Sequence, residues 1–296
     1  MFSHSDSEII SSTWALSEQH AQAWLFMVAQ ILQGKQLPQS PTMENKETQI
    51  DMRRFIVDGH GDYVNRNEHP NTPEGSIGVV QIAGPMTKYG SWSNWGSDEL
   101  VFFAEQFDRD PNIIGQIWLL ESGGGSMTAI APYLEFLKKK TKPVIGLADI
   151  CASAALYVGV GTDKLYARNN ISSMFGSIGV MTTIVDYTEY LKNMGIKEHL
   201  IYATQSSFKN KSSEAARKGD YAEFRKELLD PAAIQFQNFV KQSRPNLQTD
   251  VEGILEGKMF YAEAAEEYGI IDGIKDFEEA AEQVKFLAGA RSFMFQ

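Results

Sequence analysis

From residue 76 onward, short apolar runs alternate with amphipathic helical patterns, which predicts an α/β protein with a largely parallel sheet flanked by helices. Three observations carry that expectation. The alternation is strand, helix, strand with short connections, as in right-handed βαβ units. Runs such as "IIGQIWLL" are apolar throughout, which suits strands covered on both faces. The chain is 296 residues long with 43% hydrophobic and 22% charged residues, enough for a sizeable core.

In chain order, an amphipathic helix is expected over residues 17–33, with Ser17 as N-cap, Leu25, Val28 and Leu32 on one face and Gly34 as stop. The polar, proline-bearing "GKQLPQSPTMENKETQ" then reads as a linker, so residues 1–75 form a small N-terminal appendage and residues 76–290 the main domain. Within that domain "IGVVQIA", "IIGQIWLL", "KPVIGLAD", "KLYA", "SIGVMTTIV" and "EHLIYAT" read as strands. The helical patterns between them are "SDELVFFAEQF", "SMTAIAPYLEFLKKK", "SAALYVGVG" and "DYTEYLKNMG". A charged helical stretch follows from Ser213 to Val240, and "YAEAAEEYGIIDGIKDFEEAAEQV" reads as two helices around a short "IID" strand.

Composition narrows the functional classes. A net charge of −11 and a pI near 5.0 argue against a nucleic-acid partner or an anionic membrane surface. One cysteine, Cys151, excludes an internal disulfide. The apolar run "AWLFMVAQIL" is half of the ~20 residues a membrane span needs. It follows an acidic, polar segment and lacks a small-residue cleavage pattern, so no signal peptide is read and a cytoplasmic location is expected. The histidines His4, His20, His60, His69 and His199 show no metal-ligand spacing, and there is no phosphate-binding glycine motif. No metal or cofactor is expected.

Three motifs fall where the open ends of α/β sheets bind ligands. In "LLESGGGSM" a strand ends, glycines follow, and a helix begins; such a turn is a tight connection or a source of backbone N–H groups for an oxyanion. In "CASAAL", Ser153 sits between a strand end and a helix start, either as a small packing residue or as an exposed nucleophile; Cys151 reads as a buried, inert thiol. In "TQSSFKNKSSE", Lys209 and Lys211 are solvated loop lysines or a general base. A lysine serves as base only when neutral, and moving it from about 10.4 to near 7 takes about 4 kcal/mol, hence burial.

Taken together, "SGGGSM", "CASAALYVGVGTDKLYA", "FGSIGVM", "SSFKNK" and "GKMFYAEAAEEYGIIDGI" resemble the signal peptide peptidase A (protease IV) family of serine peptidases, most of all its phage capsid-assembly (prohead) members. In that family a Ser-Pro-Gly-Gly turn precedes Ala-Ser-Gly-Gly-Tyr-Tyr, then Gly-Ser-Ile-Gly-Val, then a lysine loop. The likeness spans roughly residues 77–274 and implies the ClpP/crotonase-like fold. It implies Ser153 as nucleophile, Lys209 as general base ahead of Lys211, and the N–H groups of Gly124 and Ala154 as the oxyanion hole. Ser206 or Ser207 is the candidate to orient the lysine. It further implies protein substrates such as scaffold or head proteins, and ring-like homo-oligomers in which a neighbour supplies the lysine.

The sequence departs from the pattern at Gly123 for proline, at Ala154 and Ala155 for two glycines, and at Asn210 for an aspartate. Two other classes stay open: an acyl-CoA enzyme on the same fold, which would not need Ser153 and a lysine loop, and a catalytically inactive ring protein of the head. A degradative peptidase of the same family is a third reading of the same residues.

Overall fold

The computed structural model describes residues 14–16, 54–59, 61–64, 71–90, 95–184, 186 and 188–294. Strands β1 (Trp14–Leu16), β2 (Arg54–Val57), β3 (Ser76–Ala83), β4 (Ile113–Ser122), β5 (Gly124–Ser126), β6 (Val144–Ala152), β7 (Lys164–Ala167), β8 (Met174–Gly176) and β9 (Met259–Tyr261) form two sheets. The main sheet has the order β2-β3-β4-β6-β8-β9, with β7 also on β6. The pairs β3/β4, β4/β6, β6/β7 and β6/β8 are parallel, and the edge pairs β2/β3 and β8/β9 are antiparallel. The expected α/β class with a mostly parallel sheet is therefore observed.

Both faces of the sheet are covered, which explains its unbroken apolar strands. One face carries α1 (Ser97–Arg109), α2 (Ile130–Lys139), α3 (Ala154–Gly159) and α6 (Asp230–Ser243). Trp118 of β4 is fully buried there, edge-on to Tyr133 and stacked on Phe136 with ring centroids 5.6 and 5.7 Å away. Its indole N–H donates to Gln116 Oε1 at 3.1 Å, and the Gln116 amide donates to Ala104 O at 2.8 Å, so the buried polar groups are satisfied and tie α1 to β4. On the other face Ala280, Ala281 and Val284 of α8 (Phe277–Met294) close over Val79, Ile117, Ile145 and Leu147.

β6 serves two neighbours on one edge. Ile145–Ala148 pair with β7, whereas Ile150–Ala152 pair with β8. Between them the β4/β6 register steps from Leu120↔Ala148 to Glu121↔Ile150, leaving Asp149 as an extra residue. Its carboxylate holds the bulge by accepting from Asn169 Nδ2 at 3.0 Å and Arg168 Nη1 at 3.3 Å. Bulges of this kind re-aim the residues beyond them.

Several expected elements differ. The helix expected over 126–140 begins as a 3₁₀ turn at Met127–Ala129 before α2. "SIGVMTTIV" is not a strand: Gly176 and Ser177 have φ of 138° and 56°, and such left-handed backbone ends extension, so the strand is β8 just upstream. "EHLIYAT" forms no strand either; β9 already occupies the free edge of β8, and Leu200 and Ile201 stand exposed. "IID" is a turn rather than a strand. The remaining helices are α4 (Thr188–Asn193), α5 (Lys211–Arg217) and α7 (Ala262–Glu267), and a short helical run over 222–229 leads into α6. The helix expected over 17–33 lies outside the described residues. The expected boundary at 75/76 falls between paired strands, because β2 is hydrogen-bonded to β3. The second sheet is small and consists of β1 antiparallel to β5.

The "IIDG" turn is fastened through Asp272, which accepts from Arg244 Nη1 at 2.6 Å, Lys164 Nζ at 2.7 Å and the Leu165 N–H at 2.8 Å. Burial by itself would raise the Asp272 carboxyl, but Arg244 foremost, with Lys164 and the Leu165 N–H, holds it below the ordinary carboxylate value. A depressed folded-state value means that the unfolded chain takes up the proton first. The stabilisation is therefore fully present above about pH 4 and is lost as pH falls through the folded value. Denaturant midpoints measured against pH should show that loss in the wild type, and Asp272→Asn should lack this component. Asp272→Ala leaves the mostly buried Arg244 without its carboxylate and should cost about 3–5 kcal/mol.

Candidate active site

Three strand ends meet at the candidate site. Ser122 at the end of β4 is in register with Cys151 of β6, and Ala152 is in register with Gly176 of β8. Ser153 follows directly, and its N–H donates to Gly176 O at 2.9 Å. Gly176 leaves no room for a side chain, since a Cβ there would lie 2.1 Å from Lys258 O.

Ser153 is the joint between β6 and α3, with φ 55° and ψ −119°. That region is unfavourable for a residue with a Cβ, by about 1–3 kcal/mol, and it persists only where the surroundings impose it. Here they do. The Ser153 carbonyl accepts from the Tyr157 N–H at 2.9 Å, every residue of α3 is buried, and Tyr157 stacks on Phe236 of α6 with centroids 4.5 Å apart. The Ser153 side chain is 1% exposed and its hydroxyl has no hydrogen-bond partner. An orphaned buried hydroxyl costs a further ~1–3 kcal/mol. A residue present only to pack closely would be cheaper as alanine, which removes the second cost. Strain and an unpaired hydroxyl thus fall on one residue, at a strand-to-helix joint.

Ala154 occupies the first position of α3, where its N–H has no acceptor one turn back in the helix. It directly follows Ser153. Gly124 follows β4 with φ 103°. Its N–H donates to Ser122 Oγ at 3.1 Å, and Ser122 Oγ donates in turn to Gly84 O at 2.6 Å. Service to an oxyanion therefore requires that the Gly124 N–H leave Ser122. β5 lies against Met86: the Met86 N–H donates to Gly124 O at 3.0 Å and the Ser126 N–H to Met86 O at 2.8 Å. Neighbouring residues of an extended strand direct their backbone groups to opposite edges, so the N–H and C=O of Gly125 face away from Met86.

Lys209 is not joined to Ser153 within the single chain. It lies exposed in the turn before α5, with its backbone N–H donating to Ser206 O at 3.0 Å. Lys211 is paired with Glu223 at 3.1 Å and lies over the Phe208 ring at 5.3 Å. Asn210, in place of the family's aspartate, takes the left-handed conformation that starts α5. Cys151 is fully buried, and burial pushes its thiol up, against a smaller opposing effect of Arg244. His199 is exposed on the segment that forms no strand. Among the described residues no three His, Cys, Asp or Glu side chains gather to hold a metal ion, and no helix is long and apolar enough to cross a membrane.

Sequence reading did not single out Ser122, Met86 or Gly125. Their roles arise from a strand pairing of only a few residues, which leaves no periodic pattern to read. Gly176 stood in the quoted motif "FGSIGVM", with no role assigned to it.

The model of the family described as peptidase family S49 matches residues 136–291. Among solved structures, a mutant of a membrane-bound stomatin-specific protease in complex with a substrate peptide matches with a TM-score of 0.35 and 16% identity, over 67% of this chain and 74% of that one. That likeness is too loose to bear on the site. No curated protein matches the chain.

Two outcomes follow from the geometry. Native protein should resist alkylation of Cys151 by iodoacetamide while the urea-unfolded chain reacts, as followed by intact mass. Gly176→Ala forces Lys258 O aside and shifts the anchor of the Ser153 N–H, so thermal unfolding should move to lower temperature and any Ser153-dependent activity should fall at least tenfold.

Proposed function

The chain belongs to peptidase family S49, and on that premise we propose that it is a serine endopeptidase in which Ser153 and Lys209 form the catalytic dyad. The observation that carries the reading is Ser153 itself, held at φ 55° with a buried hydroxyl that bonds to nothing else. Neutral Lys209 takes the Ser153 Oγ proton as Oγ attacks a peptide carbonyl. The N–H groups of Ala154 and Gly124 hold the oxyanion, the latter after exchanging Ser122 for it. Lys209 then gives the proton to the leaving amine, and water releases the acyl group from Ser153. These residues call on no metal or cofactor.

Lys209 needs a buried, acid-free environment to lose its proton, and its exposed turn supplies none within one chain. The proposed remedy is a homo-oligomer, a closed ring, in which one protomer covers the segment of the next and places Lys209 against the neighbour's Ser153. Supporting this, Ile196, Leu200, Ile201 and Phe208 on that segment are exposed, at 48%, 53%, 90% and 78%. Apolar exposure of this density on one loop suits an interface better than a free surface. Scaffold or head proteins of a capsid, cut in the bacterial cytoplasm or inside the procapsid, are the proposed substrates, and the motif resemblance supports that part.

The test is cleavage of an unfolded protein followed on a gel or by mass spectrometry. Ser153→Ala should lower the rate by several orders of magnitude without loss of folding. Lys209→Ala should do the same, while Lys211→Ala should keep most activity; the reverse pattern would make Lys211 the base. If the oligomer supplies the lysine, mixing inactive Ser153→Ala with inactive Lys209→Ala subunits should restore part of the activity.

A further inference from the structure

β9 (Met259–Tyr261) ends the main sheet, and only its β8 side is paired. The Ser177 N–H donates to Lys258 O and the Ala262 N–H to Ser173 O, each at 3.0 Å. Alternate residues of an antiparallel ladder face the same neighbour, so residues 258, 260 and 262 address β8 while Met259 and Tyr261 address the open side. The Tyr261 carbonyl belongs to the first turn of α7, for which Tyr261 is the N-cap. The Met259 N–H, the Met259 carbonyl and the Tyr261 N–H remain, and they have no hydrogen-bond partner among the described residues. Such an edge is a template for another strand.

The chain also holds a strand pattern without a sheet. "EHLIYAT" has the composition of a strand, yet residues 198–202 make no backbone hydrogen bond among the described residues. Leu200 and Ile201 stand exposed on it. Lys209 follows after two turns, closed by the Ser206 N–H on Ala203 O at 2.9 Å and the Lys209 N–H on Ser206 O at 3.0 Å. An unpaired strand segment and an unpaired sheet edge thus occur in one molecule without meeting.

We propose that residues 198–202 of one protomer add as a strand to the open side of β9 in the next copy of this chain, and that this pairing delivers Lys209 to the neighbour's Ser153. The inference rests on the serine peptidase reading above and supplies the means by which its lysine crosses between protomers. Direction fits. β8 runs toward Ser153, because Ala152 is in register with Gly176, and β9 runs the opposite way. A strand antiparallel to β9 therefore runs toward Ser153 again, and the chain leaves it at the Ser153 end. Distance fits as well. From β6 across β8 and β9 to an added strand is three strand spacings, ~14 Å. Each closed turn brings its ends within ~7 Å, so the chain from Tyr202 to Lys209 still covers ~17 Å with both turns kept. The contact joins two different surfaces, so it repeats head to tail around a ring instead of stopping at a pair.

The experiment measures cleavage of an unfolded protein by mixed full-length subunits. In a mixture of Ser153→Ala and Lys209→Ala chains, the productive contact joins the lysine segment of a Ser153→Ala chain to the β9 edge of a Lys209→Ala chain. Met259→Pro removes the outward N–H and spares the β8 ladder, to which Met259 does not donate. In the Lys209→Ala chain it should lower the restored activity roughly tenfold or more, and in the Ser153→Ala chain it should leave most of it. Ile201→Asp puts a charge on the added strand and should give the mirror pattern, with loss only in the Ser153→Ala chain; it carries the test should Met259→Pro not fold. Restored activity that is indifferent to which chain carries the substitutions overturns this inference and leaves the shared dyad standing. A mixture that restores nothing while wild type cleaves overturns the inference and the sharing together. Wild type that cleaves nothing overturns the peptidase reading as well.

Discussion

The site depends on one backbone constraint: the peptide chain must leave β6 at Ala152 and enter α3 at Ala154 through a single residue with positive φ. Most residues avoid that conformation, so the surroundings have to impose it. They do so from three sides. Gly176 takes the N–H of Ser153, Tyr157 takes its carbonyl, and the stack of Tyr157 on Phe236 keeps α3 from relaxing outward. The outcome is a fixed backbone at Ser153, with its buried hydroxyl unpaired at the junction of three strand ends. Preorganisation of this kind is where much of a hydrolase's rate comes from, because no reorganisation remains to be done in the transition state.

The parallel core was legible because its signals are long and redundant. "IIGQIWLL" and "KPVIGLAD" are apolar on both faces, and both faces are in fact covered by helices. "KLYA" is β7 to the residue. Reading failed where an apolar pattern had nothing to pair with. Leu200 and Ile201 look like strand residues, but β9 comes from far along the chain to occupy the free edge of β8. No local pattern announces such a competitor. The break after β8 had a local cause, the two positive-φ residues Gly176 and Ser177, yet serine at that conformation carries no compositional mark.

The Ser153 end of the candidate site and the Lys209 segment differ in how far one chain builds them. Ser153 and Ala154 follow the end of β6 and Gly124 follows the end of β4, two strands that the core holds in register up to Ser122↔Cys151. Lys209 belongs to a segment whose apolar residues Leu200, Ile201 and Phe208 face outward.

The bulge at Asp149 carries a further consequence. A β-strand sends successive side chains to opposite faces, and an extra residue shifts the phase of that alternation by one. β6 needs one phase for Ile145 and Leu147, which face the helix α8 side, and the other for Cys151, which packs into the opposite core. Asp149 is where the phase changes, and its hydrogen bonds to Asn169 and Arg168 keep the change in place. The side chain of a single surface-facing residue thus decides to which face of the sheet the chemistry at residue 153 is delivered, and loss of one residue at that point would deliver it to the wrong one.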